Sequence, residues 1–297
     1  MKAVDGIDFS VPWKQTLALV GESGCGKSTT AKLVLRLIEP TAGAIFFRGR
    51  NLLGLEGREL LGVRREMQII FQDTFASLNP RKRVREILGQ PLRDHGLAAG
   101  NLDEKVSEML ERVGLSPPSI YLDRYPHELS GGQRQRVGIG RALTVQPRLI
   151  VADEAVSALD VSVKAQILAL MKNLQRQLGL SFLFITHDLA VVRSLAHEVA
   201  VMYLGLIVER GPVRAVFSNP LHPYTRALLS ATPVPNPKLA RQKERMLLKG
   251  DVPSPVDPPA GCRFHTRCPF VMSRCREEKP ELREKGDGVA VACFLHE

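Results

Sequence analysis

Short apolar runs recur along the chain, separated by longer stretches in which apolar positions return every three or four residues. The runs TLALV (16–20), MQIIFQ (67–72), RLIVAD (148–153) and SFLFITHD (181–188) have strand length and composition. They are continuous rather than alternating, which predicts parallel strands covered on both faces. Their alternation with helical patterns predicts an α/β fold, a mostly parallel sheet with helices on both faces. Between Asn101 and Thr144 the pattern is mostly helical, so a helical subdomain, about 90–145, is expected as an insertion between two strands of a domain covering 1–230. After Ser230 the segments ATPVPNPK and GDVPSPVDPP predict an extended proline-rich linker over 231–259, followed by a compact cysteine-bearing tail over 260–297.

A chain of 297 residues, 44% of them hydrophobic, can bury one substantial core and a small appendage, which excludes global disorder. No run, Val199 to Val208 included, approaches the roughly 18 to 20 apolar residues that cross a bilayer, so any membrane role is expected to come through partner subunits. The opening MKAVDGIDFSVPWKQTLALVGESG lacks the basic segment, apolar core and cleavage site of a secretion signal, and a cytoplasmic chain is expected. A net charge of +10 fits nucleic acid, phosphate-bearing ligands or an anionic membrane face, and charge alone does not choose among them. The basic run Arg81–Arg85 reads as a solvated face ahead of a docking surface.

Gly21-Glu22-Ser23-Gly24-Cys25-Gly26-Lys27-Ser28, with Thr29 beside it, fits GxxxxGK[ST] between an apolar strand and a helical run. Glycines there let backbone N–H groups curl around phosphates, and a helix N-terminus adds positive partial charge. Lys27 is expected to reach the β- and γ-phosphates of a nucleotide and Ser28 to ligate Mg²⁺. LIVAD ends a strand at the C-terminal edge, where open α/β sheets bind ligands, so Asp153 is a second Mg²⁺ candidate and Glu154 a candidate base for the attacking water. Leu129-Ser130-Gly131-Gly132-Gln133 supplies a hydroxyl and glycine N–H groups at a helix start, suited to a second anion.

With the phosphate motif, this signature segment resembles that of ATP-binding-cassette proteins, which implies a P-loop NTPase cassette with an antiparallel β part at the N-terminus. The resemblance implies that Ser130 to Gln133 face the ATP of an opposite cassette, so that nucleotide joins a head-to-tail dimer. It also implies that Gln72 senses Mg²⁺ and water and links to membrane subunits, that Asp160 lies in the loop crossing between cassettes, and that His187 is the γ-phosphate switch. Asn219-Pro-Leu-His-Pro-Tyr-Thr-Arg-Ala-Leu228 and GCRFHTRCPF resemble the C-terminal extension of oligopeptide, dipeptide and nickel importer ATPases. The implied role is an ATPase subunit at the cytoplasmic face of the membrane, powering solute import. Its implied partners are a second ATPase, identical or not, two transmembrane permease subunits and, indirectly, an extracytoplasmic solute-binding protein, with no nucleic acid. A soluble cassette acting on nucleic acid or ribosomes, and a truncated non-catalytic cassette, are the alternatives.

Cys262, Cys268, Cys275 and Cys293 follow C-x5-C-x6-C-x17-C, which four thiolates could use for zinc or a [4Fe-4S] cluster. The long spacing and the importer resemblance order the candidates as iron-sulfur cluster, zinc, then no cofactor, in a stapling role for a tail too small to build much core. Cys25 reads as a tolerated small residue. The resemblance further implies a strand and an adenine-stacking aromatic ahead of AVDGIDF, where this sequence opens at Met1; Trp13 is a weak substitute, and adenine affinity is the expectation in question. Lys14 stands where relatives usually have glycine, and Ala155 where they have proline.

Overall fold

The computed structural model describes residues 2–232, 246–248 and 250–297, so the linker expected over 231–259 lies partly outside the described residues. In chain order the elements up to the middle of the chain are β1 (Thr16–Val20), α1 (Lys27–Val34), β2 (Phe46–Phe47), β3 (Arg50–Asn51), α2 (Gly57–Glu66), β4 (Met67–Ile70), α3 (Thr74–Ser77), α4 (Val84–Asp94), α5 (Leu102–Arg112) and α6 (Gly131–Leu143). They continue with β5 (Leu149–Asp153), α7 (Val161–Leu178), β6 (Ser181–Thr186), α8 (Leu189–Leu195), β7 (Glu198–Tyr203), β8 (Leu206–Pro212), α9 (Val213–Ser218), α10 (Pro223–Ala231), β9 (Arg283–Glu284) and β10 (Ala290–Val291). Two compact units share the chain: Met1–Val11, Thr16–Thr30 and Ile185–Glu297 form one, Pro12–Gln15 and Ala31–Phe184 the other.

In the first unit the strand order is β1-β7-β8-β10-β9. Strands β1 and β7 run parallel, with Leu17 opposite Glu198 and Val20 opposite Val201, as their uninterrupted apolar sequences predict. Strands β7 and β8 form an antiparallel pair with a register shift between Val201 and Met202. Strand β10 then pairs antiparallel with β8, Ala290 opposite Arg210. The cysteine-bearing tail is thus built into the sheet of the first unit. It covers a strand edge whose backbone groups need partners, and it buries Val289, Ala290 and Val291 in doing so. The core of the unit joins Val20, Val199, Val201, Tyr203, Val208 and Val216 to Tyr224 and Phe264.

In the second unit β4 and β5 pair in parallel, Met67 opposite Leu149 and Ile70 opposite Ala152, with β6 beyond β5. The helices α4, α5 and α6 form the connection between those two paired strands. They close around Leu88, Val106, Leu110, Val137 and Ile139, all buried. Helix α4 begins at Val84 and runs through Pro91, although proline interrupts the helical hydrogen-bond ladder. Burial of Val84, Ile87, Leu88 and Leu92 along one face holds it helical. The basic run at its start is spent locally: Arg83 pairs with Asp123 at 3.0 Å, and Arg85 with Asp103 at 3.0 Å and Asp123 at 2.9 Å. That accounts for a solvated face of exposed ion pairs, each worth a few tenths of a kcal/mol or so.

Lys14, in the turn before β1, has φ 59°, a left-handed conformation that suits glycine. Its N–H donates to Ser181 Oγ at 2.9 Å, which fixes the turn on β6. Trp13, next to it, is half exposed, and the Arg148 guanidinium lies 5.5 Å from its ring centroid. Replacing Lys14 by glycine relieves the left-handed penalty, about 1 kcal/mol, against a smaller entropic loss. Lys14→Gly is expected to stabilise the chain by roughly 0.5 kcal/mol, read as a higher urea midpoint at unchanged slope.

Candidate functional site

In the first unit, β1 delivers the loop Gly21–Gly26 to the start of α1. A Cβ on Gly21 would lie 2.2 Å from the Met202 carbonyl oxygen, and one on Gly26 would lie 2.2 Å from that of Ala3. The loop backbone is therefore pressed against β7 and the N-terminal segment at the two positions where no side chain fits. Gly205 N–H donates to the Cys25 carbonyl at 2.8 Å, a further tie to the β7–β8 turn. Lys27 is 5% exposed and its Nζ donates to the carbonyls of Gly21 and Glu22, each at 2.8 Å. Its ammonium thus sits inside the loop, while Ser23, Gly24 and Ser28 are exposed. Burial pushes the Cys25 thiol up and Lys27 only partly opposes this, so the side chain is a neutral, small filler. A glycine loop, a lysine and a helix start are the parts from which phosphate sites are built.

In the second unit, β5 ends at Asp153, and Glu154 follows with φ 46°. Because Ile70 lies opposite Ala152, continuing both strands by two residues brings Gln72 beside Glu154. Gln72 Nε2 donates to Glu154 Oε2 at 3.0 Å. Ser157 closes the turn from below, its hydroxyl donating to the Glu154 carbonyl at 2.9 Å. A left-handed glutamate costs on the order of 1–3 kcal/mol and persists where neighbours over-determine it. Here the buried Ala155 and Val156 and the Ser157 bond supply that constraint.

Two helix starts in the second unit carry the remaining candidates there. Ser130 caps α6: its Oγ accepts from Gln133 N–H at 3.3 Å, and Gln133 Oε1 accepts from Ser130 N–H at 2.9 Å. Gly131 and Gly132 fill the first turn, whose N–H groups have no acceptor within the helix. A Cβ on Gly132 would lie 2.7 Å from Val163 Cγ1 of α7. Asp160 caps α7, accepting from Val163 N–H at 3.0 Å and Ser162 Oγ at 2.9 Å. Those donors, Val163 first, hold its carboxyl below the ordinary value. Lys27, Ser28 and His187 belong to the first unit, and Gln72, Ser130, Asp153, Glu154 and Asp160 to the second. His187 is exposed just beyond β6, where Asp188 caps α8.

The four tail cysteines line one cavity together with His222, His265 and Phe264. All four are unbridged. Burial pushes the Cys262 thiol up to about 12, and the other three thiols add to the rise. Among the described residues, no three or more of His, Cys, Asp and Glu are grouped to hold a metal ion. The four thiols nevertheless face one shared space.

Some residues that shape the site escaped the sequence reading. Tyr224 Oη accepts from Glu22 N–H at 2.9 Å, and Arg267 donates to both Glu22 carboxylate oxygens at 2.7 and 3.3 Å. Both lie in segments marked by resemblance, yet 202 and 245 residues separate them from Glu22, so spacing carried no signal. His222 is fully buried, and its Nδ1 accepts from Tyr224 N–H at 3.0 Å, capping α10. Glu209 on β8 accepts from the N–H groups of Leu221 at 2.8 Å and His222 at 3.0 Å.

Comparison with known proteins matches residues 4–157 to the model of the ABC transporter family and residues 208–275 to that of the oligopeptide/dipeptide transporter C-terminal region. The oligopeptide transport ATP-binding protein AppF of Bacillus subtilis (strain 168) is 51% identical over 298 residues, covering 100% of this chain and 90% of that protein. The dipeptide transport ATP-binding protein DppF of Haemophilus influenzae is 51% identical over 295 residues, covering 99% and 89%. Among solved structures, the dimeric post-hydrolysis state of the ATP-binding cassette MJ0796 bound to ADP and Pi has a TM-score of 0.64 at 28% identity, covering 71% of this chain and 91% of that one. The cbiO1 cassette of Clostridium perfringens, part of the cbiONQ complex, has a TM-score of 0.66 at 26% identity, covering 73% and 84%.

Burial lowers the His222 pKa from 6.5 to about 3, so the neutral ring is favoured in the folded state. That preference contributes fully above the unfolded value and is lost as pH falls from about 6.5 towards 3, at up to ~1.4 kcal/mol per pH unit. Denaturant unfolding at pH 7 and pH 5 should show the wild type losing about 2 kcal/mol more than His222→Asn, which keeps an acceptor for Tyr224 N–H.

Proposed function

The chain belongs to the ABC transporter family, and on that premise we propose how its residues serve an ATP-hydrolysing importer subunit. The protein is an ATPase whose hydrolysis powers import of oligopeptides or dipeptides. The observation that carries the catalytic reading is the Gln72–Glu154 pair at 3.0 Å, a carboxylate held in a constrained turn by an amide. Glu154 takes the proton of the attacking water, or orients that water, and Gln72 keeps the carboxylate aimed. The loop Gly21–Ser28, with Thr29, binds the triphosphate through its N–H groups. Lys27 exchanges its bonds to the Gly21 and Glu22 carbonyls for the β- and γ-oxygens.

Ser28 in the first unit offers a hydroxyl, and Gln72 and Asp153 in the second an amide and a carboxylate, each a hard oxygen donor of the kind that suits Mg²⁺. Bound Mg²⁺ would neutralise charge on the phosphates. His187 contacts the γ-phosphate. Ser130, Gly131, Gly132 and Gln133 serve the nucleotide of a second cassette, with Asp160 in the connecting loop. The dimeric cassette with ADP and Pi among the similar structures supports this arrangement. The remaining partners are two permease subunits and, through them, a solute-binding protein outside the membrane. The chain works peripherally at the cytoplasmic face, and none of the described helices is long and apolar enough to cross a membrane.

Cys262, Cys268, Cys275 and Cys293 are assigned to a [4Fe-4S] cluster. Four unbridged thiols lining one cavity support it. Bound there, the cluster would staple the tail.

Glu154→Gln is expected to bind ATP as the wild type does and to lose about a hundredfold or more in turnover. Steady-state hydrolysis beside nucleotide binding checks this, and near-normal turnover removes Glu154 from the base role. Protein purified without oxygen should carry about four iron and four acid-labile sulfide per chain, both lost in Cys275→Ser. Stoichiometric zinc without sulfide would replace the assignment.

A further inference from the structure

Glu22, second residue of the phosphate loop, is held from three sides. Its N–H donates to Tyr224 Oη at 2.9 Å, its carboxylate takes both terminal nitrogens of Arg267, and its carbonyl accepts from Lys27 Nζ at 2.8 Å. One residue thus joins the tail to the lysine of the loop. The Arg267 side chain is 9% exposed and that of Glu22 28%, so the two-pronged pair is shielded enough to be directional. Its anchor is firm: Arg267 N–H donates to Phe264 O at 3.0 Å, and the buried Phe264 ring packs on Tyr203 and Tyr224, with centroids 5.2 and 5.5 Å away. Burial pushes the Tyr224 hydroxyl far up, so it stays neutral and keeps its acceptor geometry. Arg263, four residues earlier, grips the Leu204 carbonyl and Asp5, beside the Gly205 N–H that holds Cys25.

The pairing also settles an electrostatic conflict. A carboxylate at a triphosphate site repels its ligand, and a guanidinium on both of its oxygens cancels that charge where solvent screens little. We propose that Arg267 and Tyr224 are positioning residues for nucleotide binding. Through them the C-terminal extension fixes the backbone of Glu22, orients the Lys27 acceptors and neutralises the loop's own carboxylate. This rests on the reading of Gly21–Ser28 as the ATP loop. Cys262 and Cys268 bracket the Arg263–Arg267 segment, so whatever fixes those thiols also sets the clamp.

The test uses the full chain with Arg267→Ala, Arg267→Lys, Tyr224→Phe, Glu22→Gln and the Glu22→Gln/Arg267→Ala double variant. It has two readouts, amide hydrogen exchange over residues 21–26 without nucleotide, and MgATP hydrolysis resolved into KM and kcat. Arg267→Ala and Tyr224→Phe should speed exchange at the Glu22 amide about tenfold or more. Arg267→Ala should raise KM about tenfold while kcat changes less than about threefold, with Arg267→Lys recovering part and the double variant no worse than Arg267→Ala alone. Unchanged exchange in Arg267→Ala, or a KM within about twofold of wild type, overturns the proposal. Should Arg267→Ala fail to fold, Glu22→Gln and Arg267→Lys decide by the same two readouts. A wild type that binds no MgATP would overturn the nucleotide reading, and the exchange data would still decide whether the clamp orders the loop.

Discussion

The site in the first unit depends on two backbone positions that admit no side chain. Gly21 and Gly26 lie so close to the carbonyls of Met202 and Ala3 that a single methyl at either would force the loop off its support. On that support Lys27 spans two carbonyls of the loop, those of Gly21 and Glu22. The close approach also makes the loop's shape a property of what lies behind it: the end of β7, the β7–β8 turn and the opening residues of the chain. A phosphate cradle is usually discussed as a motif. Here it is a surface cast against the rest of its unit.

The second unit solves a different problem, how to aim a carboxylate. Parallel pairing of β4 with β5 fixes which residues leave the sheet together, and two residues past the paired Ile70 and Ala152 those are Gln72 and Glu154. The left-handed backbone at Glu154 then turns the side chain out of the strand line. Ala155 and Val156 are buried immediately after it, so the turn is clamped by packing even without the fixed φ of a proline.

Much of this was legible from sequence because the signals were local. Each expected strand run contains an observed strand, and the phosphate loop follows β1 directly, since a continuous apolar run and a glycine pattern speak for themselves within a few residues. The α/β class followed from the alternation alone. What could not be read was long-range or short. Strand β10 is two residues long and has no periodicity to detect, yet it ties the tail to β8. Tyr224 and Arg267 meet Glu22 across more than two hundred residues, and nothing in a tyrosine or an arginine announces such a contact. His222 sits in a motif noticed for its resemblance, while its burial and its capping of α10 depend on Glu209, a carboxylate that reads as an ordinary strand residue.

One contact carries a consequence for how the sequence can drift. Ser130 and Asp160 cap neighbouring helices, and in the first turns of α6 and α7 the backbone of Gly132 lies so close to Val163 that a Cβ would come within 2.7 Å of its Cγ1. Any larger residue at 132 demands a smaller one at 163, so the two positions form a lock whose halves must change together. Related chains in which 163 has shrunk to alanine would be the ones free to lose the glycine. Among those that keep valine there, volume alone holds the glycine in place, over and above any service its N–H gives to a nucleotide.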